Sequence, residues 1–253
     1  MESTRQLNAL TGIRILAATA VFLSHLGAPE VFPESLRIFF ASGYNGVTVF
    51  FVLSGFLLTW NYVDRLLPLR VGSLWTFFVA RFARIYPVYL FALLIVILPV
   101  ILAGGGDPLM LTHALTLQPW SQHFGRAMAY NGPAWSIGVE VFLYACFPLI
   151  IFILAKIRHS KLALLALGAA VLLAAFALAY WFSATGRNDL PLADPNSAHR
   201  WLYRMPLTRL GDFALGAIAA MLAMNFKSPR WMPLTERRRS GFALSGDSRR
   251  MTC

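Results

Sequence analysis

Apolar residues in this chain gather into six blocks of roughly twenty, separated by polar stretches. A helix of about twenty apolar residues crosses a hydrocarbon core about 30 Å thick, so each block predicts a membrane-spanning helix. The predicted spans are 8–27, 44–62, 75–102, 134–155, 162–182 and 206–225. The third is long enough to include an interfacial turn before the membrane proper. Between the third and fourth, LMLTHALTLQPW is apolar but too short to cross, which predicts a re-entrant or interfacial segment. The short alternating segments of a β-barrel are not seen. The predicted fold class is all-α: a polytopic transmembrane helical bundle of about six spans.

Composition agrees with this pattern. Of the 253 residues, 58% are hydrophobic and 13% charged, whereas soluble domains run nearer half and a quarter. A net charge of +11 would suggest nucleic acid as a partner in a soluble protein. In a membrane protein it reads instead as arginine and lysine collected in cytoplasmic loops, and no nucleic acid is expected. With the N-terminus inside, the inner segments carry Arg5, then Arg65 and Arg70, then Lys156, Arg158 and Lys161. The outer loops hold Arg37, Arg126, Arg187, Arg200 and Arg204, mixed with Glu30, Glu34, Asp107, Asp189 and Asp194. The balance predicts a cytoplasmic N-terminus. Arg5 and Arg14 precede ILAATAVFL, but no small-x-small cleavage site follows, so the segment reads as a retained first span. Cys146 and Cys253 make no disulfide framework and no metal set.

From Asn225 the character changes. NFKSPRWMPLTERRRSGFALSGDSRRMTC holds seven basic and two acidic residues and no long apolar run. It divides the chain into a transmembrane domain over 1–225 and a basic, disordered tail over 226–253. A second reading is a truncated chain with an unrelated reading frame at its end.

The candidate chemistry lies in polar residues inside the spans. Arg14 and His25 are eleven residues apart, about 20° from alignment on one helical face and about 16 Å apart along the axis. Arg14 either snorkels to headgroups or lines a site; His25 either caps the helix or serves as general base, since histidine titrates near neutrality. Arg81 and Arg84, three apart in FFVARFARIYP, are either positive-inside anchors or a fork suited to phosphate. In WSIGVEVFLY, Ser136, Glu140 and Tyr144 fall at i, i+4 and i+8, one polar stripe on an apolar helix. Such a stripe faces protein or a wet cavity rather than lipid. It is either interhelical glue or part of a site, and its outer position predicts that it meets His25 at a shared depth. Arg209 and Asp212, three apart in RLGDFALG, read as a structural pair that satisfies itself in lipid. His113, His123, His159 and His199 are scattered and read as loop residues, so no metal is expected. Gly43, Gly46 and Gly55 look like close-packing positions.

In this order, these features resemble the acyltransferase 3 family of integral-membrane acyltransferases. Arg14 and His25 match its R-x10-H, and FFVLSGFLL is similar to its FFVxSGFLxT. Arg81 and Arg84 fit R-x-x-R followed by IYPVY. WSIGVEVFLY fits WSLxxExxFY, and RLGDFALG resembles R-x-x-x-F-x-x-G. The resemblance implies O-acyl transfer, usually of acetyl, from cytoplasmic acyl-coenzyme A to a hydroxyl of a cell-surface or lipid-linked carbohydrate. Acyl-coenzyme A would be a donor substrate rather than a tightly bound cofactor. By the same resemblance His25 is the essential base or acyl relay, with Glu140 and Ser136 ordering the catalytic site. Arg14, Arg81 and Arg84 handle the donor, and Tyr144, Arg209 and Asp212 support the structure. It further implies a multi-pass protein of the bacterial inner membrane that modifies surface polysaccharide or lipopolysaccharide. The family commonly has about ten spans, so the resemblance also implies a C-terminally truncated form. A transporter or flippase using the charged stripe, and an inactive remnant of the acyltransferase, are the alternative readings.

Overall fold

A computed structural model of the chain describes residues 8–27 and 29–226. All of their regular structure is helical. The elements are α1 (Asn8–Leu26), α2 (Glu34–Ala41), α3 (Gly46–Leu66), α4 (Val71–Leu102), α5 (Leu109–Ala114), α6 (Phe124–Met128), α7 (Trp135–Ile157), α8 (Lys161–Ala184) and α9 (Pro206–Asn225). Three 3₁₀ turns (Ser42–Asn45, Gln118–Trp120, Gly132–Ala134) and a π-helix (His199–Arg204) join them.

Six segments are long and apolar enough to cross a membrane, and they fall on the six predicted spans. Two boundaries move. The second crossing segment begins early, because α2 and the following 3₁₀ turn lead directly into α3 and extend it back to Glu34. The third starts at Val71, so its expected interfacial turn is continuous helix. LMLTHALTLQPW folds as α5 and a 3₁₀ turn, broken at Thr116, whose φ is +58°. The segment from 227 onward, expected as a basic tail, lies outside the described residues.

The core is formed by α3, α7 and α9. Phe51, Leu58, Val139, Leu143, Phe147, Phe213 and Ala217 interlock there, with Phe77 of α4 packed against them. Glycines set how closely these helices approach. A Cβ on Gly55 would sit 2.0 Å from the Phe213 carbonyl oxygen, and one on Gly216 would sit 1.9 Å from that of Val52. At the edge, Gly43 and Gly46 bring the start of α3 against the Ala20 and Ala17 carbonyls of α1. The three glycines expected at close contacts therefore all lie at backbone crossings. By contrast α1 buries Ala17 alone among its apolar side chains, and α8 buries Leu164 and Phe182. Both leave most of their surface to lipid.

The two ends of the bundle differ. At one end, residues 67–70 and 158–160 connect the helices by short links. At the other, residues 103–134 and 185–205 build a folded cap with its own buried polar interior. Arg204, 1% exposed, donates through Nη1 to the Pro119 and Ser121 carbonyls, 3.1 and 2.9 Å away. Gln118, fully buried, donates to the Ala134 carbonyl at 2.9 Å. His113, read from sequence as an ordinary loop residue, is fully buried; its Nε2 lies 3.0 Å from the Arg126 carbonyl. His123 and His159 are exposed, in line with their reading as loop residues.

Candidate functional site

The polar stripe of α7 faces inward, toward α3 and α4. The Tyr144 hydroxyl donates to the Glu140 carboxylate one turn above it on the same helix. From α3, Ser54 Oγ donates to that carboxylate oxygen at 3.5 Å. Ser136 Oγ donates to the Pro133 carbonyl at 2.9 Å, which ties the hydroxyl to the 3₁₀ turn that leads into its helix. Ser54, Ser136 and Glu140 together line a cavity of about 110 Å³, completed by Val47, Phe50 and Phe51. That volume admits several waters or a small polar group. Ser54 was not singled out in the sequence. Its signal was a lone hydroxyl in FFVLSGFLL, which in lipid must turn toward protein.

Arg81 carries the polar line further. Its side chain turns into the bundle, where Nη2 donates to the Tyr62 hydroxyl at 2.8 Å. The guanidinium carbon stands 5.1 Å from the Tyr62 ring centroid and 5.9 Å from that of Tyr144. These are cation–π distances. Arg84, three residues on, is exposed. The two arginines thus differ in exposure: Arg81 is partly buried against the bundle and Arg84 is open.

His25 sits in the last turn of α1 with its ring exposed. A carbonyl can only accept, so the 2.8 Å contact between Nδ1 and the Val21 oxygen places the proton on Nδ1 in the neutral ring. The Nε2 lone pair is left free. The structure does not bring His25 to Glu140. Gly46 meets Ala17 and Gly43 meets Ala20, which fixes α1 antiparallel to α3. His25 lies eight residues beyond Ala17 in one direction, and Ser54, which holds Glu140, lies eight residues beyond Gly46 in the other. At about 1.5 Å per residue, the two are separated by about 24 Å along the bundle axis. Arg14, half-buried on the same helix, is closer to the Ser54 level, about 7 to 8 Å away in depth by the same rise.

Arg209 and Asp212 form the pair read from the sequence. Arg209 Nη1 lies 2.7 Å from Asp212 Oδ2, and the same nitrogen donates to Thr48 Oγ1 at 3.0 Å. Its Nε donates to the Tyr203 carbonyl at 2.6 Å. The arginine therefore ties α9 to α3 and to the π-helix. Beside it, burial and the Arg200 charge bring the Arg204 guanidinium down to about 10, and burial with the Arg204 charge lowers the imidazole of His199. Among the described residues, no three histidine, cysteine or carboxylate side chains are grouped to hold a metal.

Comparison with known proteins agrees with the motif order. A family model described as an acyltransferase domain matches residues 7–245. The chain is 32% identical over 232 residues to acyltransferase MdmB of Streptomyces mycarofaciens, covering 86% of this chain and 57% of that protein. It is 25% identical over 218 residues to nodulation protein 10 of Rhizobium leguminosarum bv. viciae, covering 76% of this chain and 56% of that protein. The chain thus spans about half the length of the curated relatives it matches. No solved structure matches significantly. With its motifs in order and the family model matched along nearly its whole length, the chain belongs to the acyltransferase 3 family.

Proposed function

We propose that the protein is a multi-pass membrane O-acyltransferase. It moves an acyl group, most simply acetyl, from acyl-coenzyme A to a hydroxyl of a carbohydrate or glycolipid. The observation that carries this reading is the family match over residues 7–245, joined by a relative that is itself named an acyltransferase. The setting proposed is the bacterial inner membrane, with donor on the cytoplasmic side and acceptor on the outer side.

The residues support the chemistry in this way. His25, through the Nε2 that its Nδ1 contact with the Val21 carbonyl leaves as the acceptor nitrogen of a neutral ring, takes the proton of the acceptor hydroxyl as its oxygen attacks the thioester carbonyl. The carbon–sulfur bond breaks, and coenzyme A leaves as the thiol once it has gained that proton. Arg81 and Arg84, with Arg14 nearer mid-depth, meet phosphate or carbonyl oxygens of the donor. Glu140 and Ser136, with Ser54, form a polar station between them. Because the Arg81 level and the His25 level lie apart, the thioester end of acyl-coenzyme A must reach along the Tyr144–Glu140–Ser136 stripe, still bonded to its sulfur, to meet the acceptor at His25.

The test is acyl transfer from labelled acetyl-coenzyme A by membranes holding wild type or His25→Ala at equal protein level. Loss of transfer in the variant is expected. Unchanged transfer would overturn the assignment.

A further inference from the structure

Arg81 holds its charge in the bundle interior with little direct satisfaction. It belongs to neither of the two ion pairs seen among the described residues, Arg158–Asp64 and Arg209–Asp212. Of its five N–H donors, one reaches the Tyr62 hydroxyl at 2.8 Å, and Nε is buried with no partner. The rest of its stabilisation comes from ring faces. Phe77 is 6.0 Å away, Tyr144 5.9 Å and Tyr62 5.1 Å. A cation held this way keeps donors for an incoming oxygen, but its direction depends on its one hydrogen-bond acceptor.

That acceptor is itself fixed. The Tyr62 ring packs edge-on against Phe77 at 5.3 Å, and Phe77 is 1% exposed in the core. A tyrosine locked by a core phenylalanine has little rotamer freedom. We propose that Tyr62 is a positioning residue: its hydroxyl and ring aim the Arg81 guanidinium, so that the remaining donors meet an anionic or carbonyl oxygen of the acyl donor. Arg84 is exposed, so the two arginines of R-x-x-R differ in task. The donor half of this statement rests on the acyl-coenzyme A reading; the aiming of Arg81 by Tyr62 does not.

Two measurements on the full chain in detergent separate the halves. The first is the rate of phenylglyoxal modification at Arg81, followed by mass spectrometry with Arg84 as internal reference. Tyr62→Phe keeps the ring and removes the acceptor, so Arg81 modification is expected to rise about tenfold, the size of one hydrogen bond to a charged group. Arg84 should not change. Equal Arg81 rates in wild type and variant overturn the positioning role whatever the substrate is. The second measurement is coenzyme A affinity across wild type, Tyr62→Phe, Arg81→Lys and the double variant. Tyr62→Phe should weaken binding about tenfold in the wild-type background and add nothing in the Arg81→Lys background. An equal added loss in both backgrounds means Tyr62 does not act through Arg81. Faster Arg81 labelling with no change in coenzyme A affinity for Tyr62→Phe or Arg81→Lys overturns the donor reading and leaves the aiming intact.

Discussion

Gly55 and Gly216 face each other's helix so closely that neither position has room for a side chain: each Cβ would fall within about 2 Å of the opposite backbone carbonyl oxygen. The α3–α9 crossing, which carries the Ser54 side of the candidate site, depends on this pair.

Gly216→Ala is therefore expected to destabilise the bundle by about 3 kcal/mol or more, because the obstruction is backbone and cannot rotate away. Thermal unfolding in detergent measures it. Gly168→Ala is the control, since its Cβ would meet Ile218 Cγ2 at an ordinary 3.7 Å; its change should stay within about 0.5 kcal/mol. Equal shifts for the two variants would mean that α3 and α9 cross elsewhere.

Tyr144→Phe removes the hydroxyl that reaches Glu140 on its own helix and leaves the carboxylate with Ser54 at 3.5 Å. Acyl transfer should fall about tenfold, with unfolding temperature little changed, because the ring stays in the core. Glu140→Gln keeps the shape and removes the charge; it should cost more activity than Tyr144→Phe. The reverse order would show that the stripe serves packing alone.

Asp212→Ala leaves Arg209 charged, 9% exposed at its side chain, with only Thr48 and the Tyr203 carbonyl for partners. Removing one member of a buried pair costs about 3 kcal/mol. The loss should appear as a lower unfolding temperature, and Asp212→Asn should recover part of it through a neutral hydrogen bond. A loss under about 1 kcal/mol would place the pair in water.

The cap should loosen in acid. Burial and the Arg204 charge lower the His199 pKa from the ordinary 6.5. The unfolded chain then binds a proton before the folded one, so stability present above pH 6.5 falls as pH drops below it toward the folded value. Fluorescence of Trp201, two residues along the chain from His199, should report a transition that begins below about pH 6.5. His199→Phe should flatten that profile, and a persistent transition would assign the sensitivity to another group.

The spans were legible because each is a long local run, and the bilayer turns such a run into a helix whatever surrounds it. Arg209 with Asp212, and Glu140 with Tyr144, were legible for the same reason: both members lie on one helix, at a spacing that the helix itself brings together. The cap was not. Arg204 meets Pro119 and Ser121 across more than eighty residues, with no periodicity to announce the contact. Ser54 meets Glu140 over a similar distance in sequence. The depth of His25 misled for a related reason. Position along a span predicts depth only when neighbouring helices start level, and Gly43 and Gly46 set α1 against α3 with an offset that no single helix encodes.

The glycine crossing also sets an order of events during synthesis. Gly55 precedes Gly216 by 161 positions in the sequence. At about 5–20 residues per second, the ribosome takes on the order of 8 to 30 s to supply the second after the first. Through that interval the small-residue face of α3 has no α9 to close against and must be shielded by lipid or by the insertion machinery. A chain released before α9 emerges would keep its first five spans yet present this bare seam to the membrane, where quality-control proteases search for unpartnered helices.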